Sequence, residues 1–338
     1  MSNPVHPPFQ PPQHGSGDSL FEFLSMLLLG SLAILFAITL IDYGYSWEEV
    51  WHNTWYGKAI VSFFGTFGED IRATKYLDLH FYGGLYDTVV ELIAWLTPWD
   101  GFVVRRACNA SMGFFSLIGT WKTGKLLAGS RGGFWALLLL VTMPAYYGHI
   151  FINAKDIPVA TGTIWSIYYL IRLSTALPNP GTRDLIRLGL AMGLAMGVRI
   201  GGIILLGYAG LMLLVGMAMV SENGSRFPGN LVRISWIRIV GIPLAIAFLL
   251  MIVFWPAVLH DPNVLFQSLE SARHHLWGNT VLLNGLYVKG EELPWSYLPA
   301  YFSITLPEFF VLVFSLGPLS ANYMAIRLFS KILYYFTG

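Results

Sequence analysis

Three segments hold residues able to do chemistry at suggestive spacings. The first reads Asp42-Tyr-Gly-Tyr-Ser-Trp-Glu48-Glu49-Val-Trp-His52. Neighbouring carboxylates can divide labour, Glu48 removing a proton while Glu49 orients the group that loses it, if the base comes within hydrogen-bond reach. The same pair at a helix start also gains from the helix dipole with no catalytic role. The second segment is Tyr146-Tyr147-Gly148-His149-Ile-Phe-Ile-Asn153-Ala-Lys155-Asp156-Ile-Pro158. Lys155 and Asp156 lie between two apolar runs, where a charged pair is costly unless each ion is paired or faces water. Pro158 suits the first turn of the following helix. The pair either caps a helical hairpin or offers a cation to a phosphate. The third segment holds Arg273, His274 and His275, then Glu292-Leu-Pro294-Trp295-Ser-Tyr297. No third ligand stands at zinc-site spacing from the two histidines. Contacts to a phosphate or leaving group therefore fit better than a metal site, and no cofactor is indicated, a divalent cation being the one open option. Trp295 and Tyr297 also suit a membrane interface.

Arg105 and Arg106 open one apolar run, and Arg199 interrupts another. Guanidinium groups hold phosphate oxygens two at a time and keep their charge. A lone buried arginine can be structural, but several basic groups converging on one cavity are better explained by an anionic ligand.

The elements that must position these residues follow from composition. Of 338 residues, 55% are hydrophobic and only 12% charged, against a usual charged share of about 25%. This is the balance of a polytopic membrane protein. A net charge of +1 excludes binding nucleic acid through a strongly basic surface. The single cysteine, Cys108, excludes an intrachain disulfide and a cysteine-based zinc cluster. Residues 1–19 read as a disordered cytoplasmic tail rich in proline, without the basic start of a secretory signal. Residues 20–338 form the membrane domain. Leu20–Ile41 is long enough to cross a core of about 30 Å. Further apolar runs are Phe102–Trp121, Gly132–Ile152, Ile157–Ile171, Leu188–Val220, Ile239–Leu259 and Tyr297–Pro318. Leu188–Val220 is too long for one crossing, and a hairpin near Arg199 resolves it, giving an all-α bundle of about eight spans. With the N-terminus cytoplasmic, eleven of the 20 Lys and Arg fall on inner segments against four of the 19 Asp and Glu, which fixes the orientation. Residues 42–101 and 260–296 are then long outer loops. In the first, Trp51, Trp55, Ala59 and Phe63 make one apolar stripe. Leu85, Val89, Leu92 and Leu96 make another, with Asp87 and Glu91 opposite. Both suit interfacial helices, or equally amphipathic helices packed on the bundle. Glu308, beside Pro307 within the last span, has no partner legible in the sequence.

Together these segments resemble the GT-C membrane glycosyltransferases, and among them the polyprenyl-phosphate-dependent group of protein O-mannosyltransferases and the aminoarabinose transferase of lipid A. The resemblance runs over most of the chain. It is carried by Glu48-Glu49 after the first span, by Gly148-His149 with Asn153-Ala-Lys155-Asp156-Ile-Pro158, and by Leu293-Pro294-Trp295-Ser-Tyr297-Leu-Pro299. The second and third of these are similar to bacterial members. In the family the acidic pair is usually Asp-Glu; here the base sits one methylene further from the backbone. Many relatives have more spans, so a minimal or shortened member is expected. The resemblance implies an inverting transfer of a sugar from a polyprenyl-phosphate carrier to a lipid, glycan or protein acceptor. The reaction would take place on the periplasmic side of a bacterial inner membrane, with no obligatory metal. Glu48 and Glu49 would be catalytic. Lys155, Asp156, Arg199, Arg105, Arg106, Arg273, His274 and His275 would hold the donor and its leaving phosphate. Two alternatives stand beside this: a permease for a lipid or sugar phosphate, although no internal repeat is evident, and a non-catalytic subunit of the same fold.

Overall fold

The computed structural model describes residues 18–44, 46, 49, 54–177, 179–222, 229–273 and 280–312. Glu48, His274 and His275 lie outside them. The chain divides into two compact units, Met1–Ala272 and Arg273–Gly338.

Among the described residues the regular elements of the first unit are all helices. Helix α1 (Asp18–Thr39) is an almost uninterrupted apolar run. Two helices of the long first loop follow, α2 (Thr54–Gly65) and α3 (Leu85–Leu96), with short 3-10 turns at Ile71–Lys75 and Leu77–Phe81 between them. The next helix, α4 (Gly101–Val141), is not straight. It leaves helical geometry at Ala128 and at Gly129, whose φ of 69° favours a residue without Cβ. A Cβ on Gly124 would lie 2.7 Å from the Gly132 carbonyl oxygen and 2.8 Å from Ala136 Cβ. Residues twelve apart along a straight helix stand about 18 Å apart, so the second half of α4 folds back along the first. The run expected as one span over Gly132–Ile152 is in fact broken. Pro144 opens α5 (Pro144–Ile152) and Met143 before it is extended, as a residue preceding proline tends to be.

The remaining helices of this unit are α6 (Asp156–Thr175), α7 (Thr182–Met196), α8 (Ile204–Glu222), α9 (Gly229–Val253), α10 (Pro256–His260) and α11 (Val264–Arg273). The expected break near Arg199 is present. Helix α7 stops at Met196, Arg199 is extended, and a 3-10 turn over Ile200–Ile203 leads into α8. One apolar core joins α6, α7 and α9 around Met192, Met196, Ala247, Met251 and Trp255. A second joins α1, α4 and α5 around Phe36, Leu117, Leu137 and Phe151. Among the described residues three helices are long and apolar enough to cross a membrane: Asp18–Thr39, Gly101–Val141 and Trp236–Val253. The second unit holds a hairpin, β1 (Thr280–Leu283) antiparallel to β2 (Leu286–Lys289), and α12 (Tyr297–Thr305). Among the described residues the hairpin is the local exception to otherwise α-helical elements.

Candidate active site

The site is built where α3, the start of α4 and the start of α6 meet. Its centre is Asp87 on α3, fully buried, with each oxygen taken by a different cation. Arg105 on α4, 1% exposed, places Nη1 2.8 Å from Oδ1, and Lys155, at the N-cap of α6, donates from Nζ to Oδ2. Arg105 also reaches Glu91 Oε1 through Nη2 at 3.3 Å. Glu91 is one helical turn beyond Asp87, so the two carboxylates share a face. Arg106 places Nε 4.0 Å from Glu49 Oε1. Glu49 is itself buried, and its Oε2 accepts from the Ser46 backbone N–H at 2.9 Å. Ser46 Oγ in turn donates to the Ile152 carbonyl at 3.4 Å, tying the first loop to the end of α5.

Tyrosine rings line the next layer. Lys155 Nζ stands 5.3 Å from the Tyr56 ring centre and 5.9 Å from that of Tyr82, while the Arg199 guanidinium is 5.2 Å from Tyr82. Two cations thus share one aromatic ring, an attraction that desolvation strengthens. Arg199 Nη1 pairs with Asp156 Oδ1 at 2.9 Å. Asn153 holds this turn together. Its Oδ1 accepts from the backbone N–H of Lys155 at 3.2 Å and of Asp156 at 2.8 Å, and its Nδ2 donates to Asp156 Oδ2 at 2.9 Å. His149 Nδ1 lies 3.1 Å from the same Nδ2.

The segment carrying Tyr82 is clamped to the bundle at several points. Trp255 Nε1 donates to the His80 carbonyl, Gly84 N to Phe254 O, and Leu85 N to Gly197 O, all at about 3 Å. This needs Gly83, because a Cβ there would fall 2.2 Å from the Gly197 carbonyl oxygen.

Burial sets the proton affinities. It pulls the Lys155 ammonium below the usual lysine value against the opposing pull of Asp87, and it pushes the Glu49 and Glu91 carboxyls up, since the charged form loses solvation in each case. Among the described residues no group of three His, Cys, Asp or Glu side chains is placed to hold a metal.

The sequence candidates are therefore distributed unevenly. Lys155, Arg105 and Asp156–Arg199 come together, with Glu49–Arg106 alongside. Arg273 is exposed at the end of α11 in the second unit. The residue that sequence reasoning passed over is Asp87, placed there only opposite the apolar stripe of a helix open to either an interfacial or a bundle-packed position. Helix α3 turns its charged face inward and leaves Val89, Leu92 and Leu96 exposed. Helix α2 differs from its expected stripe: Tyr56, Ala59, Ile60 and Phe63 are buried while Trp55 is exposed.

A family model for dolichyl-phosphate-mannose-protein mannosyltransferase matches residues 88–260, half of the chain. No curated protein matches. Among solved structures, the S. cerevisiae protein O-mannosyltransferase Pmt1-Pmt2 complex bound to the sugar donor is similar at a TM-score of 0.55 and 16% identity, over 78% of this chain and 38% of that one. The fold is accordingly that of a GT-C membrane protein. The chain belongs to the dolichyl-phosphate-mannose-protein mannosyltransferase family, and it spans well under half the length of the yeast chain it matches.

Proposed function

We propose that this protein is a GT-C glycosyltransferase that moves a sugar from a polyprenyl-phosphate carrier to an acceptor on the non-cytoplasmic face of the membrane. The observation that carries this reading is the chain of contacts running from Glu49 through Arg106 and Arg105, Asp87, Lys155 and Tyr82 to Arg199 and Asp156. It links carboxylates and cations from five parts of the chain, with Glu49, Asp87, Arg105, Arg106 and Lys155 buried and Asp156 and Arg199 partly exposed. Glu48 deprotonates the acceptor hydroxyl or amine. Glu49, held by Ser46 and facing Arg106, orients it. The acceptor oxygen or nitrogen attacks the anomeric carbon in line with the departing phosphate oxygen, so the carbon inverts and the carrier leaves as polyprenyl phosphate. Preplaced cations stabilise the negative charge that grows on that phosphate, with Arg199 the exposed one and Lys155 behind it.

The exposed apolar side of α3 supports an interfacial position for that helix, with its charged face toward the bundle. In this reading the N-terminus is cytoplasmic, about eight spans cross a bacterial inner membrane, and the site opens to the periplasm. No metal takes part in this scheme.

The test is transfer from radiolabelled polyprenyl-phosphate sugars to endogenous acceptors in membranes. Glu48→Gln should abolish transfer while the protein still accumulates and binds the carrier. Transfer at the wild-type rate in that variant removes Glu48 from the mechanism. Flux of the labelled donor across liposomes without sugar transfer would replace the enzyme by a permease.

A further inference from the structure

Two acid–base pairs meet at Tyr82, and they differ in a way that assigns them different tasks. Asp87 is 0% exposed and both its oxygens are taken by cations. Asp156 has a side chain 50% exposed, and its partner Arg199 is 41% exposed. Arg199 Nε is shielded from solvent and has no hydrogen-bond partner among the described residues. We propose that Asp87 is the positioning residue of this site: it holds Lys155 and Arg105 as a closed, neutral clamp, and an incoming lipid phosphate displaces Asp156, not Asp87, to reach Arg199.

The charges support this. Asp87 and Glu91 balance Arg105 and Lys155, and Asp156 balances Arg199. These paired groups are together neutral, and an anion can join them at low cost only by taking the place of a carboxylate. Withdrawing Asp87 would leave the buried Lys155 without a carboxylate and Arg105 with Glu91 alone, one buried positive charge uncompensated and the costliest outcome available here. Withdrawing Asp156 moves a half-exposed carboxylate into water, where its lost partner is largely replaced by solvation. Its backbone N–H remains tied to Asn153 Oδ1, so a side-chain rotation that exchanges the Asn153 Nδ2 bond to Oδ2 for water suffices.

Asp87 also holds the charge of Lys155. The groups that face this ammonium are Asp87 from α3, Arg105 from α4, Arg199 from the turn after α7, and the rings of Tyr56 from α2 and Tyr82. Asp87 is the one carboxylate that bonds it. Without it, burial and two guanidinium groups all favour the neutral amine.

The inference rests on the proposed function only in taking the ligand to be a lipid phosphate, and binding can be measured without turnover. The probe is farnesyl phosphate, titrated against the full chain in nanodiscs between pH 6 and pH 8.5, each variant being compared with wild type at the same pH. D87N carries one extra positive charge at low pH and loses it as Lys155 deprotonates. Its Kd relative to wild type should therefore start at or below one and climb about tenfold across the range. D87E should restore a flat ratio. So should the double variant D87N/K155M, which has no ammonium to titrate and remains informative if D87N alone does not fold. D156N, altered at an exposed position, should bind several-fold more tightly than wild type at every pH. A flat ratio for D87N, or weaker binding by D156N, overturns the assignment. Sugar transfer that persists alongside such a result would leave the proposed function standing, and the expected binding pattern without any transfer would leave an anion site without that enzyme.

Discussion

Two Asp–Arg pairs flank α6, one beside Lys155 at its start and one at its far end, at nearly the same distance, and they are not equivalent. At the start, Asp87 meets Arg105 at 2.8 Å with both side chains out of solvent. Near the other end, Asp184 meets Arg172 at 2.9 Å and Arg187 at 3.5 Å with the arginines about half exposed. Water screens the second set, and exposed pairs of this kind contribute about 0–1 kcal/mol. At the first, solvent cannot replace a lost partner, and breaking a buried pair costs about 3–5 kcal/mol. Separation alone does not reveal what an ion pair is for, whereas burial does. Groups held charged out of water are costly for folding and need a reason to be there.

The comparison can be broken by measurement. Arg105→Leu should have the largest effect, lowering stability by about 3–5 kcal/mol in a denaturation series in micelles. A loss below about 1 kcal/mol would place this pair in the same class as the exposed one. Gly83→Ala comes next, at about 1–3 kcal/mol, because the new methyl meets a backbone carbonyl that is itself pinned between α7 and α3. Glu49→Gln sharpens the comparison through pH. Burial raises the Glu49 carboxyl above its usual value, so the folded state binds the proton more tightly than the unfolded one. Stability from this group is therefore greatest below the unfolded value and falls as pH rises through the folded one. The glutamine variant should lack that decline, which begins at the ordinary glutamate range and runs upward from it, seen as a melting temperature less dependent on pH than in wild type. Asp184→Asn should have the smallest effect, within about 1 kcal/mol, and no influence on farnesyl phosphate binding.

Much of this arrangement was legible in the chain. Lys155-Asp156 between two apolar runs could hardly be neutral to the fold, and the interruption at Arg199 had to be a turn. Asp87 was not legible, for a physical reason. Periodicity shows that Asp87 and Glu91 share a helix face opposite Val89 and Leu92, but it does not say which face meets protein. Beside water the charged face turns out, whereas beside lipid it can turn in, and the pattern is the same. The signal was the conjunction of that i, i+4 carboxylate pair with Arg105, 14 residues after Glu91, at the start of the next apolar run. The break before Pro144 is hidden by the length of the apolar run around it, and only the proline itself marks it.

The clamp around Asp87 also sets an order of assembly. Its lysine partner lies 68 residues further along the chain, roughly 3–14 s of synthesis at typical rates. Until that point α3 carries a carboxylate whose second counter-ion has not yet been made. A nascent chain stalled before residue 155 should therefore keep α3 undocked, so that arrival of the α6 N-terminus, rather than synthesis of the long first loop, commits this end of the molecule to its final form.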